Sequence, residues 1–552
     1  MKNFDFIFQH RKKFIFLYLF SLFLIGIAYL CMLPVFEGYD EKAHFSNIRQ
    51  IADTKKIPIY GKSTIDHMIV SYSGPIAPYF YSKNNDLSQK MTYINFFADK
   101  QAMKNYVTIY EKLPLQQYRP SSSINWEAQH PPLYYLLLTP VDKVFEQSGL
   151  ITTIFFLRLS SYLFALLGIT FSLMSFVDDK IEFFAPKIIG FLIYPFIFPE
   201  FFSEFARMGN DSLCLFFAGL FVYLYSKWSS NKKNSSLALM GGIVLGLGLL
   251  TKAFFLPIMA AFLLFSILGK LSQNKTFTIN VKSMCYFFFP ALLIGGGWYV
   301  YKFLYYGNLI GSDDAIHLAK QGGLFAGLKE HFSIFEVFRS MAVTIVTYIW
   351  AGTQSLIRMP HIMQILLLFS TGYFFLNSLL RIIKRPIEDE LWIPICLLLV
   401  FAGGFFYHVI LCIALSGNGD TPGWYLHILL PWTAPMIGVG FSYLWSQIKK
   451  RWVIIFLLCY SILFFVISFW FQLTLFAGCS TKGGDKYYHF TAPYYCLGKF
   501  VLIVHNLSIL TWSAIALPCF IVGVLLLLFL LKVTLVPERL SRKDNLIKLE
   551  IA

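Results

Sequence analysis

Two adjacent carboxylates and a histidine follow the first long apolar run of the sequence. Asp40 and Glu41 are neighbours, and His44 lies three residues after Glu41. Ionisable side chains where a helix leaves the membrane are costly and usually functional. A carboxyl group whose pKa is raised by partial dehydration can take a proton from an attacking hydroxyl group. We therefore predict that Asp40 and Glu41 are catalytic, against the alternative that two acids only solvate the start of a loop.

The same stretch raises the question of a metal. Glu41 and His44 are about one helical turn apart, so both could bind one divalent cation. One such pair is far from a complete ligand set, and the nine cysteines show no spacing typical of a zinc or iron–sulfur site. The sequence thus assigns no cofactor, and a divalent metal stays an open alternative.

Other polar residues stand at the ends of later apolar runs, and the predicted topology brings them to the same external side. The cytoplasmic side carries mostly Lys and Arg of the kind that orients a membrane protein. We predict that the external set binds the phosphate or sugar of a substrate: His44, Glu127, His130, Arg207, Asn210, Asp211, Lys252, Trp424 and Tyr425.

Several of these residues also have ordinary structural explanations. His130, in a rigid His-Pro-Pro-Leu-Tyr segment, could cap the following helix, and Asn210 could cap the next span. Lys252 could extend its ammonium group towards the membrane surface, although an interfacial phosphate would also satisfy it. Arg207 lies at the outer end of a span, against the positive-inside trend, which indicates a nearby anion.

The composition is that of a polytopic membrane protein. The chain has 552 residues, of which 57% are hydrophobic and only 14% charged. The net charge of +16 comes from short groups of Lys and Arg between apolar runs, so it indicates membrane topology and argues against a nucleic-acid partner. The first apolar run is too long for a cleavable signal and is expected to stay as an anchor.

About twelve apolar runs approach the roughly 20 residues that a helix needs to cross the hydrocarbon core. Arg11, Lys12 and Lys13 before the first run, and the basic tail after the last, predict that both termini are cytoplasmic. The predicted spans are 14–36, 150–176, 184–205, 209–227, 236–251, 253–270, 284–305, 362–380, 390–414, 424–446, 452–477 and 505–531.

These spans divide the chain into segments. A further apolar run, at 337–350, is expected to lie on the outer surface or to form a re-entrant segment. Arg381, Lys384 and Arg385 must lie on the cytoplasmic side, so only one of the two runs before them can cross the membrane. In the last external loop Cys479 and Cys496 could form a disulfide, with free thiols as the alternative. The segments are 1–36 (cytoplasmic N-terminus and first helix), 37–149 (large external loop with the acidic motif and an interfacial segment), 150–305 (helices 2–7), 306–360 (external loop with the interfacial or re-entrant helix), 361–531 (helices 8–12, with external loops at 415–423 and 478–504) and 532–552 (basic cytoplasmic tail).

Together, the motifs resemble those of GT-C fold glycosyltransferases, in particular the bacterial branch akin to protein O-mannosyltransferases and aminoarabinose transferases. They are an Asp-Glu pair after the first span, a long first loop ending in His-Pro-Pro-Leu-Tyr-Tyr, Arg-x-x-Asn-Asp before a later span, a Thr-Lys turn and a late Gly-x-Tyr-Leu. The resemblance covers most of the chain. It implies an all-α polytopic membrane protein: a GT-C-like bundle of about twelve transmembrane helices with a large first external loop.

The resemblance also implies roles for individual residues. Family members use a sugar on a polyprenyl phosphate, so Asp40 would activate the acceptor hydroxyl, Glu41 would support it, and Lys252 and Arg207 would hold the lipid phosphate. The family's late motif usually reads Gly-Arg-Tyr, whereas here Trp424 stands between Gly and Tyr. His427 could replace the missing arginine, and Trp424 could stack on a sugar ring.

The expected function is therefore an inverting glycosyltransferase of the inner (plasma) membrane. It would move a hexosyl or pentosyl unit from a polyprenyl-phosphate donor to a glycan, lipid or protein acceptor on the external, periplasmic face. A transporter or flippase of lipid-linked glycans is the alternative; it would need a polar path through the bundle, for which Arg158 is the obvious candidate. A structural or assembly subunit would not need the acidic pair.

Overall fold

The computed structural model describes most of the chain and is almost entirely helical. It describes residues 11–75, 91–232, 234–271, 281–309, 311–357, 359–384, 392–447, 449, 451–479 and 499–535. In chain order the helices are α1 (Arg11–Met32), α2 (Glu41–Thr54), α3 (His67–Val70), α4 (Tyr93–Ala98), α5 (Lys100–Tyr106), α6 (Leu133–Phe145), α7 (Leu150–Met174), α8 (Ile181–Ile197), α9 (Glu200–Phe205), α10 (Asp211–Ser230), α11 (Ser235–Leu249), α12 (Phe255–Leu271), α13 (Val281–Tyr306), α14 (Asp313–Lys320), α15 (Leu324–His331), α16 (Ile334–Ile349), α17 (His361–Lys384), α18 (Trp392–Ser416), α19 (Leu430–Ser446), α20 (Arg451–Phe476), α21 (Phe500–Leu510) and α22 (Ser513–Leu535).

The chain is a multi-pass membrane protein. Within the described residues, nine helical segments are long and apolar enough to cross a bilayer, and a tenth is added if α15 and α16 form one broken span. The predicted all-α, polytopic fold class is confirmed. Each of the twelve predicted runs coincides with helix, but α8, α11 and α12 are shorter than a full span.

Two segments of the predicted topology are interrupted in the structure. The last predicted span, 505–531, is divided, because Thr511 has extended backbone between α21 and α22. Helices α15 and α16 are bent by 104° relative to each other at the break between them. Their geometry is that of a broken span or a re-entrant loop, and the predicted interfacial or re-entrant position of this segment stays a prediction.

The first loop contains more structure than its irregular composition suggested. Strands β1 (Thr64–Asp66) and β2 (Pro120–Ile124) pair antiparallel, with Thr64 opposite Ile124. Helix α2 packs on α6, and α6 packs on the spanning helix α7. The loop is therefore fastened to the bundle at both its beginning and its end, which holds its polar side chains against the membrane helices.

Glycine allows the closest helix packing in the bundle. Gly190 of α8 faces α19, and Gly438 of α19 faces α8; a Cβ on Gly438 would lie 2.0 Å from the carbonyl oxygen of Pro186. Similarly, α1 packs along α22, where a Cβ on Gly523 would lie 2.6 Å from the side chain of Ile25. Small residues that let two helix backbones approach are a common means of helix association in membranes.

Candidate active site

The turn after the first span directs Asp40 towards the end of the first loop. Asp40 has φ 57° and ψ 8°, a left-handed conformation that is uncommon for a residue with a side chain. It stands at the N-cap of α2, yet its side chain makes no capping hydrogen bond there. Instead, Oδ1 accepts a hydrogen bond from Trp126 Nε1 at 3.0 Å. Backbone strain of this kind often accompanies a functional side chain.

Electrostatics around Asp40 suit a general base. Burial raises the pKa of Asp40 to about 6, and the nearby Glu127 charge acts in the same direction. Arg207, the hydrogen bond from Trp126 and Lys252 oppose this rise. The residue as a whole is only half-buried. It is mostly ionised at neutral pH and titrates near it, which is the condition for efficient proton transfer.

Glu41, in contrast, is fully engaged inside the protein. Its two carboxylate oxygens accept bonds from Arg158 Nε at 2.7 Å and Arg158 Nη2 at 2.6 Å. The backbone N–H groups of Met208 and Gly38 also donate to it, at 2.9 and 3.1 Å. Burial would raise the pKa of Glu41, but Arg158 holds it below its usual range. With four donors on its two oxygens, Glu41 has no position left for the metal ion that the Glu41–His44 spacing had suggested.

Glu127 joins two histidines beside Asp40. Its Oε2 lies 3.1 Å from His130 Nε2 and 3.5 Å from His44 Nε2. The other ring nitrogen of His44 contacts the Tyr135 hydroxyl at 3.0 Å. Burial lowers the pKa of His44 to about 4, so His44 is neutral at physiological pH. Burial acts to raise the pKa of Glu127, but His130 holds it below the usual range.

A second charged chain runs along the start of α10. Arg207 binds both oxygens of Glu204, at 3.1 and 2.6 Å, and donates to the Tyr39 carbonyl at 3.0 Å. Its Nη2 also reaches Asp211 at 3.3 Å. The outer position of Arg207 had indicated a nearby anion, and the carboxylates of Glu204 and Asp211 supply it within the protein.

Lys252 completes this chain from the turn between α11 and α12. Its ammonium lies 2.9 and 3.0 Å from the two oxygens of Asp211. It also lies 4.3 Å from the ring centre of Tyr425 and 4.7 Å from that of Phe254, within cation–π distance. A carboxylate and two aromatic rings therefore fix the position of the ammonium group, which is what a preorganised cation requires.

Trp424 and His427 lie on the turn that leads into α19, in different surroundings. The Trp424 ring stacks on Tyr39, with centroids 4.1 Å apart and planes 12° apart, and its indole N–H has no hydrogen-bond partner. His427 is fully buried among aromatic rings, with Nδ1 3.2 Å from the Tyr194 hydroxyl. Its Nε2 likewise has no partner.

Asn210 does not cap α10. Its backbone is helical and its side chain makes no capping bond, although the residue is completely buried. Both the oxygen and the nitrogen of its amide are unpartnered. Buried polar groups are normally hydrogen-bonded, so this amide stands out as a group without an assigned role inside the fold.

The structure brings together most of the predicted residues and adds three that sequence reasoning missed. Asp40, Asp211 and Glu127 all lie near enough to the Tyr425 hydroxyl to interact with it electrostatically. Glu127 and Lys252 interact with Asp40 in the same way. The missed residues are Trp126, Tyr39 and Glu204. Trp126 directly precedes Glu127, and Glu204 precedes Arg207 by about one helical turn, so nearness in sequence to a predicted residue could have indicated both. Nothing in the local sequence indicates the contact between Tyr39 and Trp424. Cys479 is disulfide-bonded, and Cys496, its predicted partner, lies outside the described residues.

Comparisons with known proteins give only distant similarities. No known protein family matches the chain, and no curated protein matches it in sequence. Among solved structures, ArnT from Cupriavidus metallidurans bound to undecaprenyl phosphate aligns at a TM-score of 0.44 and 11% identity, covering 93% of this chain and 76% of ArnT. The apo form of ArnT gives a TM-score of 0.38 at 12% identity, covering 88% and 75%. The Archaeoglobus fulgidus oligosaccharyltransferase with Zn and sulfate gives 0.37 at 14% identity, covering 83% of this chain and 52% of that one. Because these TM-scores are low, we draw no functional conclusion from them.

Proposed function

We propose that the chain is an integral-membrane glycosyltransferase of the inverting GT-C type. It moves one hexosyl or pentosyl unit from a polyprenyl-phosphate carrier to a hydroxyl group of a cell-envelope glycan, lipid or protein on the external face of the inner membrane. The motifs of the sequence supply the reaction class. The observation that carries the proposal is the Asp40 carboxylate, which is half-buried, oriented by one indole N–H and titrates near neutral pH.

In the proposed reaction Asp40 is the base. The acceptor hydroxyl attacks the anomeric carbon from the face opposite the phosphate, and Asp40 takes its proton as the bond forms. The carbon–oxygen bond to the phosphate breaks in the same step, so the configuration inverts and polyprenyl phosphate leaves. Glu41 does not share this role, because its carboxylate is enclosed by Arg158 and two backbone N–H groups. It positions the turn that carries Asp40.

Lys252 is the cation that we place against the leaving phosphate. Negative charge grows on the phosphate as the glycosidic bond breaks, and a fixed ammonium stabilises it without reorganisation. Asp211 holds Lys252 by both oxygens, and Arg207 holds Asp211 from the other side. Arg207 therefore acts through Asp211 rather than on the phosphate directly.

The remaining polar groups suit the sugar and the acceptor. His130 is the more exposed of the two histidines on Glu127, with 19% of its side chain accessible compared with 3% for His44. We place the acceptor hydroxyl beside His130 and Asp40. Tyr39 covers one face of the Trp424 ring. The indole N–H of Trp424 has no hydrogen-bond partner, and we assign it to a sugar hydroxyl.

A transfer assay with purified protein in lipid tests the proposal. Wild type and Asp40→Asn would be compared with a panel of polyprenyl-phosphate sugars and a mixture of acceptors. We expect transfer to fall by about 100-fold or more in Asp40→Asn, the contribution typical of a lost general base. The matched control is Asp178→Asn, an exposed carboxylate in the turn after α7 that pairs with Lys227 near the far end of α10, and it should leave transfer unchanged. Transfer retained in Asp40→Asn would remove Asp40 from the mechanism.

The pH profile is a second part of the same test. Asp40 must be ionised to accept a proton, and burial raises its pKa to about 6. Wild-type transfer should therefore decline as the pH falls through about 6, while the residual transfer of Asp40→Asn should lack this step. If neither protein consumes a donor but labelled carrier crosses the bilayer equally well in both, the chain is a flippase and the proposal fails.

A further inference from the structure

Three potential metal ligands meet at one end of α18, and none of them is among the residues proposed for glycosyl transfer. His408 and Cys412 lie four residues apart on this helix, so they occupy the same face. Asp314, from the first turn of α14, packs against them. One ligand atom from each residue lies within 4.8 Å of the other two. No other group of three such side chains meets this criterion in the described part of the chain.

The distances suit a tetrahedral ion. Asp314 Oδ2 lies 3.4 Å from His408 Nε2, and neighbouring nitrogen and oxygen ligands of a tetrahedral zinc ion are about 3.3 Å apart, given bonds of about 2.0 to 2.1 Å. Cys412 Sγ lies within 4.8 Å of the ligand atoms of Asp314 and His408, and its thiol hydrogen-bonds to the Asp314 carboxylate. Asp314 and His408 have side chains that are 34% and 39% accessible, so an ion can reach them from solvent.

The second ring nitrogen of His408 has the kind of partner that metal-bound histidines usually have. Nδ1 contacts the Thr421 hydroxyl at 3.0 Å, which leaves Nε2 facing Asp314. An outer hydrogen bond on one nitrogen orients the ring and makes the other nitrogen a better ligand. The arrangement therefore has both direct ligands and a supporting contact.

We propose that Asp314, His408 and Cys412 form a zinc site. A thiolate, an imidazole and a carboxylate together favour Zn²⁺ over Mg²⁺ or Ca²⁺, which prefer oxygen ligands only. The thiol of Cys412 loses its proton to solvent on binding, so the thiolate and the Asp314 carboxylate balance the charge of the ion. A water molecule occupies the fourth position. The site goes beyond the proposed transferase function and does not depend on it.

The site has a structural consequence for the turn before Trp424. The Thr421 carbonyl accepts a hydrogen bond from the Thr344 hydroxyl of α16, and Gly423 N donates to the Thr347 hydroxyl. A zinc ion would therefore link α14, α18 and, through Thr421, α16 around the same turn. It acts as a positioning site that fastens the long loop after α13 to the bundle.

Binding of Co²⁺ to the full-length protein in nanodiscs tests the site directly. Cobalt substitutes for zinc and gives a visible absorption spectrum that reports tetrahedral geometry and a thiolate-to-cobalt charge-transfer band. We expect one Co²⁺ per chain, displaced by added Zn²⁺. Cys412→Ser should abolish the charge-transfer band, and His408→Ala and Asp314→Asn should each weaken binding by more than about 10-fold. Thr421→Val, which removes only the supporting contact, should weaken it by about 10-fold.

The matched control is Cys459→Ser, which removes an exposed free thiol on α20 and should leave the spectrum unchanged. Thermal unfolding without metal identifies any variant that has simply lost its fold, and only variants that melt like wild type are compared. Zinc should raise the melting temperature of wild type but not of Cys412→Ser. A spectrum without a thiolate band, or one that persists in Cys412→Ser, would overturn the proposal.

Discussion

At the scale of single residues, the adjacent acids Asp40 and Glu41 have opposite environments. Asp40 is half-buried, receives one indole hydrogen bond and titrates near neutral pH. Glu41 is fully buried and receives four hydrogen bonds, two of them from Arg158. A carboxylate with free acceptor positions can react, whereas one whose positions are all occupied stabilises the fold. The pair therefore separates into one acid with free acceptor positions, which we propose as the base, and one acid that is engaged in the fold.

This difference predicts distinct effects of two isosteric substitutions. Glu41→Gln leaves Arg158 as a buried charge without its counter-ion, and breaking such a pair costs about 3–5 kcal/mol of stability. We expect Glu41→Gln to lower the thermal melting temperature markedly, and Asp40→Asn to lower it little. The measurement is thermal unfolding in detergent for both variants.

Replacing both Glu41 and Arg158 distinguishes the cost of an unpaired buried charge from the cost of altered side-chain packing. In the double variant Glu41→Gln with Arg158→Met no uncompensated charge remains, so stability should recover in part relative to Glu41→Gln alone. Equal melting temperatures for Asp40→Asn and Glu41→Gln would contradict the structural role of Glu41.

At the scale of elements, the site depends on how the first loop is held against the bundle. Glu37, just before the turn, accepts hydrogen bonds from the Tyr93 hydroxyl at 2.6 Å, from the Thr353 hydroxyl at 2.7 Å and from Ser355 N at 2.9 Å. One carboxylate thus joins the end of the first span, the first loop and the segment after α16. The left-handed turn at Asp40 is over-determined by these contacts, which is how a strained conformation persists.

The close crossing of α8 and α19 gives a prediction at the same scale. A Cβ on Gly438 would lie 2.0 Å from the Pro186 carbonyl oxygen, and this backbone atom cannot move away alone. Gly438→Val should therefore separate the two helices, lowering both the yield of folded protein and its melting temperature.

The matched control is Gly403→Val on α18, where nothing lies within 4 Å of the added Cβ. It should insert and melt like wild type, because the valine side chain has open space there. Size-exclusion chromatography and thermal unfolding compare the two variants. Equal behaviour would show that the crossing tolerates a larger separation than its contacts indicate.

At the scale of the whole molecule, the two ends of the bundle differ in charge and in chemistry. Arg11 at the start of α1 donates to the carbonyl groups of Val177 and Asp179, and Lys227 near the end of α10 pairs with Asp178 at 2.9 Å. At the other end of the bundle, Asp211 begins α10, and Asp40 caps α2 shortly after the end of α1. The basic end therefore lies a full membrane thickness from the proposed reaction centre.

The charge difference predicts the orientation of the protein. By the positive-inside trend, the end with Arg11 and Lys227 faces the cytoplasm and Asp40 faces outward. Alkaline phosphatase is active only when exported, so in a bacterial host a fusion after Ser123 should be active and one after Asn231 inactive. Fusions of green fluorescent protein at the same two positions should show the reverse pattern. Activity after Asn231 but not after Ser123 would place the site on the cytoplasmic side.

Much of the architecture was available from local sequence patterns. Length and hydropathy predicted helices at all twelve runs, and the basic groups between them predicted the orientation. The candidate residues were found in the same way, since polar side chains at the ends of apolar runs stand out. These predictions depend only on residues close together in the chain, which is why one sequence was sufficient for them.

Tertiary structure alone decided which charged groups remain available for chemistry. Glu41 pairs with Arg158 across 117 residues, and Lys252 with Asp211 across 41. Such partners depend on helix packing, and hydropathy contains no information about which helices are neighbours. The same holds for the β1–β2 pairing in the first loop, the splitting of the last span at Thr511 and the meeting of Asp314 with His408 and Cys412. Local sequence thus placed the polar groups at the ends of apolar runs, and helix packing selected which of them are neutralised, because ion pairing acts through space.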